Sequence, residues 1–272
     1  MHVASRESLA AARDRLDAFI DRASAVDIGT VADELFATVG LLDRQPLLRR
    51  ALSDPAAQPD RRVGLLDQVL GDRLDPRTLD LLRGMVRSHW SQPGDLSDSV
   101  EAIAWQASFG VAERSGTLDE VEDELFRFGR ILDAQPRLRA LLSDVRVPAD
   151  RRVELLDTLI DGKVNLTTRR LLAQTVAAPR GRTLERVIEE LVQLAADRRE
   201  RYVAYVRAAV PLTAEQESRL AAVLTRIYGR VVGVQVDVDP DVVGGMVIQV
   251  NDEVIDGSLA ARLDEARQRL TG

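Results

Sequence analysis

The chain has 272 residues, of which 45% are hydrophobic, and this composition excludes a globally disordered protein. The formal net charge of −7 argues against a nucleic-acid-binding protein, because such proteins need a positive surface to displace counterions. The sequence has no cysteine, and its longest uncharged stretch, 102–112, is too short to span a bilayer. We therefore expect a soluble, cytosolic protein, or one that meets a membrane only through partners.

An internal repeat dominates the first two thirds of the chain. Residues 31–71 align without gaps with residues 121–161, and 21 of these 41 positions are identical. The segment VADELF recurs as VEDELF, and LLDRQPLLRRALSD recurs as ILDAQPRLRALLSD. The offset of 90 residues is longer than the period of ordinary solenoid repeats. The repeat therefore predicts a duplicated small helical domain.

The two copies carry the same helix signals in the same order. Thr30 and Thr117, the latter followed three residues later by Glu120, predict the starts of long helices. Pro46 and Pro136 then interrupt the helical pattern, and each suits the first turn of a short helix. The two copies are therefore expected to share one order of helices.

Further helices are predicted to start at Asp60 and at Asp150, which can cap their first turns. The arginine pairs that follow, 61–62 and 151–152, are expected to be exposed charges rather than a grip on an acidic partner. Each copy then ends in another helix and holds five or six short helices. These last helices are predicted near residues 76–88 and 166–177.

Two longer helices adjoin the copies. Residues 95–114 lie between the repeated segments and are expected to end the first copy and start the second as one shared helix. Residues 182–200 form a long amphipathic helix, with Leu184, Val187, Leu191 and other apolar residues at helical spacing. The pattern changes after residue 200.

The last seventy residues show strand periodicity. Strands are predicted at 202–210, 231–239 and 242–250, with a short return at 253–255. A capping box, Thr213 to Gln216, opens a helix between the first two strands, and residues 259–270 form a last amphipathic helix. The fold class is therefore mostly α, with two tandem helical bundles followed by a small α/β domain. The predicted domains are 1–100, 101–200 and 201–272.

The sequence offers no candidate for catalysis, metal binding or cofactor binding. His2 and His89 lack the spacing of a zinc site. Gly162-Lys163 is followed by Val164 rather than by Ser or Thr, so the chain has no phosphate-binding loop of the Walker type. The residues by themselves therefore give no positive sign of an enzyme or of a bound cofactor.

The C-terminal motifs resemble those of a known family. They are Val238-Asp239-Pro240, Gly244-Gly245 and Ile255-Asp256-Gly257-Ser258. In this order, before a terminal helix, they resemble the end of the delta subunit of bacterial F-type ATP synthases, the oligomycin-sensitivity-conferring protein family. The resemblance covers roughly residues 100–272. The common family member has one helical domain, whereas this chain has a second copy in front of it.

The resemblance implies a non-catalytic adaptor of the peripheral stator. In this family the helical domain binds N-terminal helices of alpha subunits on the catalytic head, and the C-terminal domain holds the membrane-anchored b stalk. The protein is then expected at the cytoplasmic face of the bacterial plasma membrane, attached only through partners. What the first copy binds stays open.

Candidate partner-binding residues follow from this resemblance. In the second copy, a groove between the helices near 102–114 and 166–177 is expected to receive a partner helix. The candidate lining residues are Ile103, Phe109, Leu172 and Val176, which could equally be ordinary core residues. Leu259 and Leu263 of the terminal helix are candidates for the other attachment.

Two other readings of the sequence remain open. The first is a generic helical adaptor that joins the parts of another complex. The second is an enzyme with an unrecognised carboxylate site, which requires clustered acids in a cleft. The acids in this sequence lie mostly on the polar faces of the predicted helices.

Overall fold

A computed structural model describes residues 3–200, 203–228, 232–239, 242, 244–250 and 253–257. It separates the chain into two compact units, Met1–Ala195 and Ala196–Gly272. The helices that begin in the first unit are α1 (Val3–Ile20), α2 (Ala25–Arg44), α3 (Pro46–Ser53), α4 (Pro59–Leu70), α5 (Pro76–Arg87), α6 (Pro93–Arg114), α7 (Leu118–Ala134), α8 (Pro136–Ser143), α9 (Ala149–Ile160), α10 (Leu166–Ala177) and α11 (Leu184–Glu200).

The duplication is visible as two sets of helices with a common member. Helices α1 to α6 form the first copy, and α6 to α11 form the second, with Val3 and Pro93 opening the equivalent helices α1 and α6. The predicted shared helix is confirmed, because α6 packs against α1, α2, α3 and α5 of one copy and against α7 and α10 of the other.

One hydrophobic core runs through both copies. It extends from Ala12 in α1 to Ala195 in α11 and consists mainly of leucine, valine, isoleucine and alanine. The predicted boundary after residue 100 falls inside α6, whose residues on both sides of that point belong to the same core. The second boundary is predicted after residue 200, and the structure divides the chain between residues 195 and 196.

The helix starts follow the sequence signals in part. Pro46 and Pro136 occupy the first turns of α3 and α8, as predicted. The start predicted at Thr30 is wrong, because α2 begins at Ala25 and its cap is Ser24, whose hydroxyl accepts the Asp27 N–H at 3.2 Å. Thr30 instead donates to the Val26 carbonyl within the helix.

Three other predicted caps do not act as caps. Helix α7 does begin after Thr117, yet the Thr117 hydroxyl donates to the Ala112 carbonyl and makes no cap to its own helix. Asp60 and Asp150 lie inside the first turns of α4 and α9, which begin at Pro59 and Ala149. In α4 and α9, a proline at or just before the first turn therefore sets the start of the helix, because its φ is fixed.

A carboxylate joins the same two helices in both copies. Glu34 of α2 accepts the backbone N–H of Asp75 and the hydroxyl of Thr78 at the start of α5. Its counterpart Glu124 of α7 accepts the Asn165 N–H and the Thr168 hydroxyl at the start of α10. Each carboxylate thus satisfies donors that a helix N-terminus leaves without an intrahelical partner. These repeated acids are therefore structural.

A buried arginine closes the other end of the same helix. Arg62 donates to the carbonyls of Arg87 and Ser88 at the end of α5. Arg152 donates to Val176 and Ala177 at the end of α10, and also to Leu142 and Val147. Both arginines are 5% exposed, so the expectation of surface charge is wrong for these two. The negative end of the helix dipole favours a cation there.

The described residues of the second unit form a small sheet with one helix packed against it. Its elements are β1 (Val203–Ala208), α12 (Ala214–Tyr228), β2 (Gly233–Val238), β3 (Met246–Val250) and β4 (Glu253–Asp256), with the strand order β2-β1-β3-β4. Strand β1 pairs parallel with β2 and antiparallel with β3, and β4 pairs antiparallel with β3. The mostly α fold class with a small α/β part is therefore confirmed.

The capping box of α12 forms as predicted. The Thr213 N–H donates to the Gln216 side chain at 2.8 Å, and the Gln216 N–H donates to the Thr213 hydroxyl at 3.3 Å. Leu224 of α12 packs with Val206 of β1 and Ile248 of β3 in the core of this unit. The helix predicted over 259–270 lies outside the described residues.

Candidate partner-binding surfaces

The four predicted groove residues lie in the core. Ile103 and Phe109 of α6, with Leu172 and Val176 of α10, are at most 1% exposed. Helices α6 and α10 pack directly against each other. These side chains therefore present no surface to a partner in the described structure, and they act as ordinary core residues there.

Helix α2 of the first copy lies beside this pair of helices. Arg170 of α10 forms an ion pair with Asp33 of α2 at 3.3 Å. A Cβ placed on Gly29 of α2 would lie 3.7 Å from the Arg170 guanidinium and 3.9 Å from the Val111 side chain of α6. The first copy thus covers part of the surface on which the sequence placed the groove.

A partly buried cluster of charges joins the copies at the other end of α2. Arg180, in the loop between α10 and α11, pairs with Asp43 of α2 at 2.9 Å and with Asp98 and Glu101 of α6 at the same distance. Arg182 contacts the same Glu101 carboxylate at 2.6 Å and lies 5.0 Å above the Trp105 ring. The loop is thereby held on both copies.

The protonation of this cluster follows from its burial. Burial raises the pKa of the Glu101 carboxyl above its usual value, and the guanidinium groups of Arg180 and Arg182 oppose that rise. Burial also lowers the pKa of Arg180, but Glu101, Asp43 and Asp98 outweigh it, so that the pKa of Arg180 is raised. Arg180 is therefore a permanent cation, and the cluster stabilises the helical unit.

An open groove lies between α7 and α11 of the second copy. Its volume is 310 Å³. Phe126, Ile188 and Val192 supply apolar surface to it. Its other lining residues are Gly129, Arg130, Asp133, Glu185, Glu189 and Gln193. The lining holds three carboxylates and one guanidinium, and Arg139 of α8 pairs with Glu185 at 3.0 Å, so the groove combines an apolar floor with a mildly acidic rim.

The C-terminal motif residues shape the sheet. The Asp239 N–H donates to the Ala208 carbonyl at 2.9 Å, which joins the end of β2 to the end of β1. Gly244 and Gly245 have φ values of 65° and 85°, in the left-handed region that residues with a Cβ disfavour. The Gly-Gly motif before β3 is therefore a backbone requirement rather than a binding residue pair.

The rest of the motif is described in part. Gly257 follows β4, and its N–H donates to the Met246 carbonyl at 3.0 Å. A Cβ on Gly257 would approach the same carbonyl oxygen to 3.2 Å. Asp256 ends β4. Pro240, Ser258, Leu259 and Leu263 lie outside the described residues.

A tyrosine ties α12 to β4 in the second unit. The Tyr228 hydroxyl donates to a Glu253 carboxylate oxygen at 2.8 Å. Burial and this carboxylate raise the pKa of Tyr228 to about 12. Tyr228 therefore stays protonated at neutral pH, as a donor. The contact was not predicted from the sequence, in which Tyr228 and Glu253 are 25 residues apart.

Neither a membrane-spanning helix nor a metal-ligand cluster occurs among the described residues. No helix described here is long and apolar enough to cross a bilayer. Within the same part of the chain, no group of three or more metal-ligating side chains occurs. The surfaces above are therefore the candidates that the described structure offers.

Comparison with known proteins identifies the family. The protein-family model for the ATP synthase delta (OSCP) subunit matches residues 106–270 of this chain. The ATP synthase subunit delta of Streptomyces avermitilis is 50% identical over 269 residues, which are 99% of this chain and 98% of that protein. The chain belongs to the ATP synthase delta (OSCP) family. The delta subunit of Thermobifida fusca is 44% identical over 272 residues and is covered completely.

Family membership excludes a catalytic role. Delta (OSCP) subunits are structural stator subunits of ATP synthase, which is a membrane-associated complex. The relatives are matched along their whole length and therefore share the long form. A chain of the Toxoplasma gondii mitochondrial ATP synthase hexamer is 22% identical, with a TM-score of 0.30, over 62% of this chain and 95% of that one.

Proposed function

We propose that this chain links the catalytic head of an F-type ATP synthase, through its alpha subunits, to the membrane-anchored b stalk. The observation that carries this proposal is the family match over residues 106–270, together with relatives named ATP synthase subunit delta that align over the whole chain. The chain also folds as two compact units, which suits an adaptor with two attachments.

The division of labour follows the three predicted regions. Residues 101–200 bind alpha subunits, residues 201–272 hold the b stalk, and residues 1–100 are an additional copy that binds another part of the stator or head or acts as a spacer. The chain acts at the cytoplasmic face of the bacterial plasma membrane. A stator must resist the torque of the rotor, and extensive packed contacts serve that purpose better than a titrating site.

Reconstitution on membranes tests this function. Removal of the chain from membranes that carry the complex is expected to abolish ATP synthesis driven by a proton gradient while the released head still hydrolyses ATP. Addition of the purified chain is expected to restore synthesis, and co-purification is expected to recover alpha and b subunits. Recovery of unrelated proteins without ATP synthase subunits would instead support the generic adaptor.

Two controls accompany the reconstitution, namely ATP binding by the isolated chain and a variant with one change at an exposed position. Calorimetry is expected to detect no binding of ATP at micromolar concentrations, because the sequence has no phosphate-binding loop. The variant Leu47→Ala changes a side chain that is 82% exposed on α3, so it should restore synthesis as well as the unchanged chain does. Stoichiometric ATP binding would contradict the proposed function.

A further inference from the structure

A stripe of side chains on α2 recurs on α7 in a different environment. Asp33, Phe36 and Asp43 lie on one face of α2, at spacings of three and seven residues. Their counterparts 90 residues later are Asp123, Phe126 and Asp133 of α7. Phe36 is 8% exposed, whereas Phe126 is 56% exposed. The same aromatic position is thus buried in one copy and open in the other.

The first copy shows what covers this stripe. Asp33 pairs with Arg170 of α10 at 3.3 Å, and Asp43 pairs with Arg180 of the following loop at 2.9 Å. Phe36 belongs to the same hydrophobic core as Leu171 of α10. The two aspartates at the ends of the stripe thus meet arginines of α10 and of the loop that follows it, and the phenylalanine between them is buried.

On the second copy, the matching surface is exposed to solvent. Asp123 pairs with Arg127 of its own helix, and Asp133 lies 3.9 Å from Arg130, also on α7. Such exposed pairs within one helix are weak and easily exchanged. Beside the stripe, α11 adds Ile188 and Val192 to the floor of the 310 Å³ groove, and two glutamates to its rim.

We propose that the α7–α11 groove binds an amphipathic, arginine-bearing helix of a partner chain, in the position that α10 takes on the first copy. The apolar face of that helix covers Phe126, Ile188 and Val192. Its arginines replace the exposed or half-exposed local partners of the acidic rim, which are Arg130 on Asp133 and Arg139 on Glu185. The proposal does not depend on the proposed function.

A second copy of this chain is not the occupant. The element that would fit the groove is α10 with its loop, and in every copy of the chain Arg170 and Arg180 are already paired with Asp33 and Asp43. Release of α10 would also expose Leu171 and Leu172, which are fully buried. The helix must therefore come from another polypeptide.

A peptide of residues 166–182 is the first probe, because it reproduces the helix and loop that cover the equivalent stripe. With the full-length chain, fluorescence anisotropy is expected to show saturable binding that Phe126→Ala weakens at least tenfold. The matched control Leu47→Ala, at another exposed apolar position, should leave the affinity unchanged. A peptide with Arg170→Glu and Arg180→Glu should not bind.

These outcomes decide the proposal. Absence of peptide binding, or binding that Phe126→Ala leaves unchanged, overturns the equivalence of the two stripes. Phe126 is exposed, so its replacement by alanine should not unfold the chain, and circular dichroism verifies this. Equal binding of the doubly substituted peptide would overturn the role of the acidic rim.

Site-specific cross-linking then identifies the natural occupant. The chain has no cysteine, so Gln193→Cys in the groove can carry a single photoreactive group, with Leu47→Cys as the control position. In native membranes the group at 193, and not that at 47, is expected to link to an arginine-bearing amphipathic helix of another polypeptide. A link to a second copy, a link to residues 196–272 of the same chain, or no link at 193 overturns the proposal.

Discussion

Comparison of the two helical copies separates the contacts that hold a copy together from the surfaces that meet a neighbour. Glu34 and Glu124 accept equivalent donors, and Arg62 and Arg152 close equivalent helix ends. The outer stripe differs, because Phe36 is buried and its counterpart Phe126 is open. These identical polar residues therefore report internal packing, whereas differences in exposure report the neighbours.

The helices that end the two copies differ for the same reason. Helix α6 is buried on all sides by both copies, and small residues such as Ala104, Ala107 and Ser108 let neighbouring helices approach closely. The equivalent positions of α11 are Leu194, Asp197 and Arg198. Small side chains suit a helix enclosed by two copies, whereas at the end of the array Asp197 is exposed and Arg198 is a buried charge.

Deletion of the first copy is expected to have the largest effect. Removal of residues 1–92 takes away α1, α2, α3 and α5, which all pack on α6, and exposes apolar side chains that the second copy does not cover. Each large side chain exposed costs about 1.5–3 kcal/mol. We expect fragment 93–272 to bind a hydrophobic dye and to lose its cooperative thermal unfolding. A fragment that unfolds like the full chain would show that the copies are independent.

Loss of the buried arginine should affect the second copy more than the first. Arg152→Met leaves the carbonyls of four residues without this donor, and we expect a loss of about 4 kcal/mol in the free energy of unfolding. Arg62→Met affects two carbonyls and should cost about 2 kcal/mol. Urea denaturation measures both values. The reverse order would contradict the contacts described.

Lysine in place of Arg152 is the control for the contribution of charge. Arg152→Lys keeps a cation at the end of α10 but loses the planar fork that reaches several carbonyls. We expect it to recover less than half of the stability that Arg152→Met loses. Full recovery would show that the charge alone accounts for the effect.

The repeated carboxylate should have equal effects in the two copies. Glu34→Ala and Glu124→Ala each remove the acceptor of one backbone N–H and one hydroxyl. Hydrogen bonds to charged groups contribute about 1.5–3 kcal/mol, so we expect about 2.5 kcal/mol for each substitution. Chemical denaturation of the two variants tests the symmetry. A difference above about 1 kcal/mol would mean that the copies do not share this contact.

The pattern of apolar residues predicted the helices well, but the caps less well. Identity between the copies marked the proline starts at Pro46 and Pro136, and the local pattern of Thr213 and Gln216 marked the capping box of α12, because each depends on neighbouring residues in the sequence. Thr30 was misread as a cap since Ser24 lies six residues earlier and the apolar stripe continues back to Ile28. A pattern of this kind does not show which of two polar residues begins a helix.

The surfaces could not be predicted in the same way. Burial of Ile103, Phe109, Leu172 and Val176 depends on the packing of α10 and α2 around α6, which no local pattern encodes. Identity between the copies did not mark the burial of Arg62 and Arg152, because Arg61 and Arg151 are also identical and are exposed. A charge repeated at an equivalent position belongs to a contact in one case and to a solvated face in the other.

Substitution of Arg180 should sharpen the connection between the copies. Arg180 has a φ of 50°, in the left-handed region where glycine is favoured. Arg180→Gly relieves that strain but loses the pairs with Asp43, Asp98 and Glu101, and we expect a net loss of about 2 kcal/mol in the free energy of unfolding.

The matched variant is alanine at the same position. Arg180→Ala loses the same ion pairs and keeps the strained backbone, so it should be about 1 kcal/mol less stable than Arg180→Gly. Thermal or urea unfolding of the two variants measures the difference. An alanine variant as stable as the glycine variant would show that the loop relaxes when its ion pairs are lost.

The smallest effect concerns acid, and it also distinguishes the copies. Asp75 caps α5, and hydrogen bonds from the Arg77 side chain and backbone lower the pKa of Asp75 to about 2. Its counterpart in the second copy is Asn165, which does not titrate. A lowered pKa in the folded state means that the contribution to stability is complete above the unfolded value near 4, and is lost as the pH falls from about 4 to about 2. Asp75→Asn should therefore be less stable than the unchanged chain at pH 6, by less than about 1 kcal/mol because Asp75 and Arg77 are near the surface. This difference should shrink toward zero near pH 2.

Asp144 supplies a comparison in the second copy, because the Arg146 side chain also lowers the pKa of Asp144 to about 2. Asp144→Asn should therefore change the dependence of stability on pH in the same direction. Urea denaturation at several pH values between 2 and 6 measures both variants. A deficit of Asp75→Asn that stays constant over this range would show that the cap does not depend on its charge.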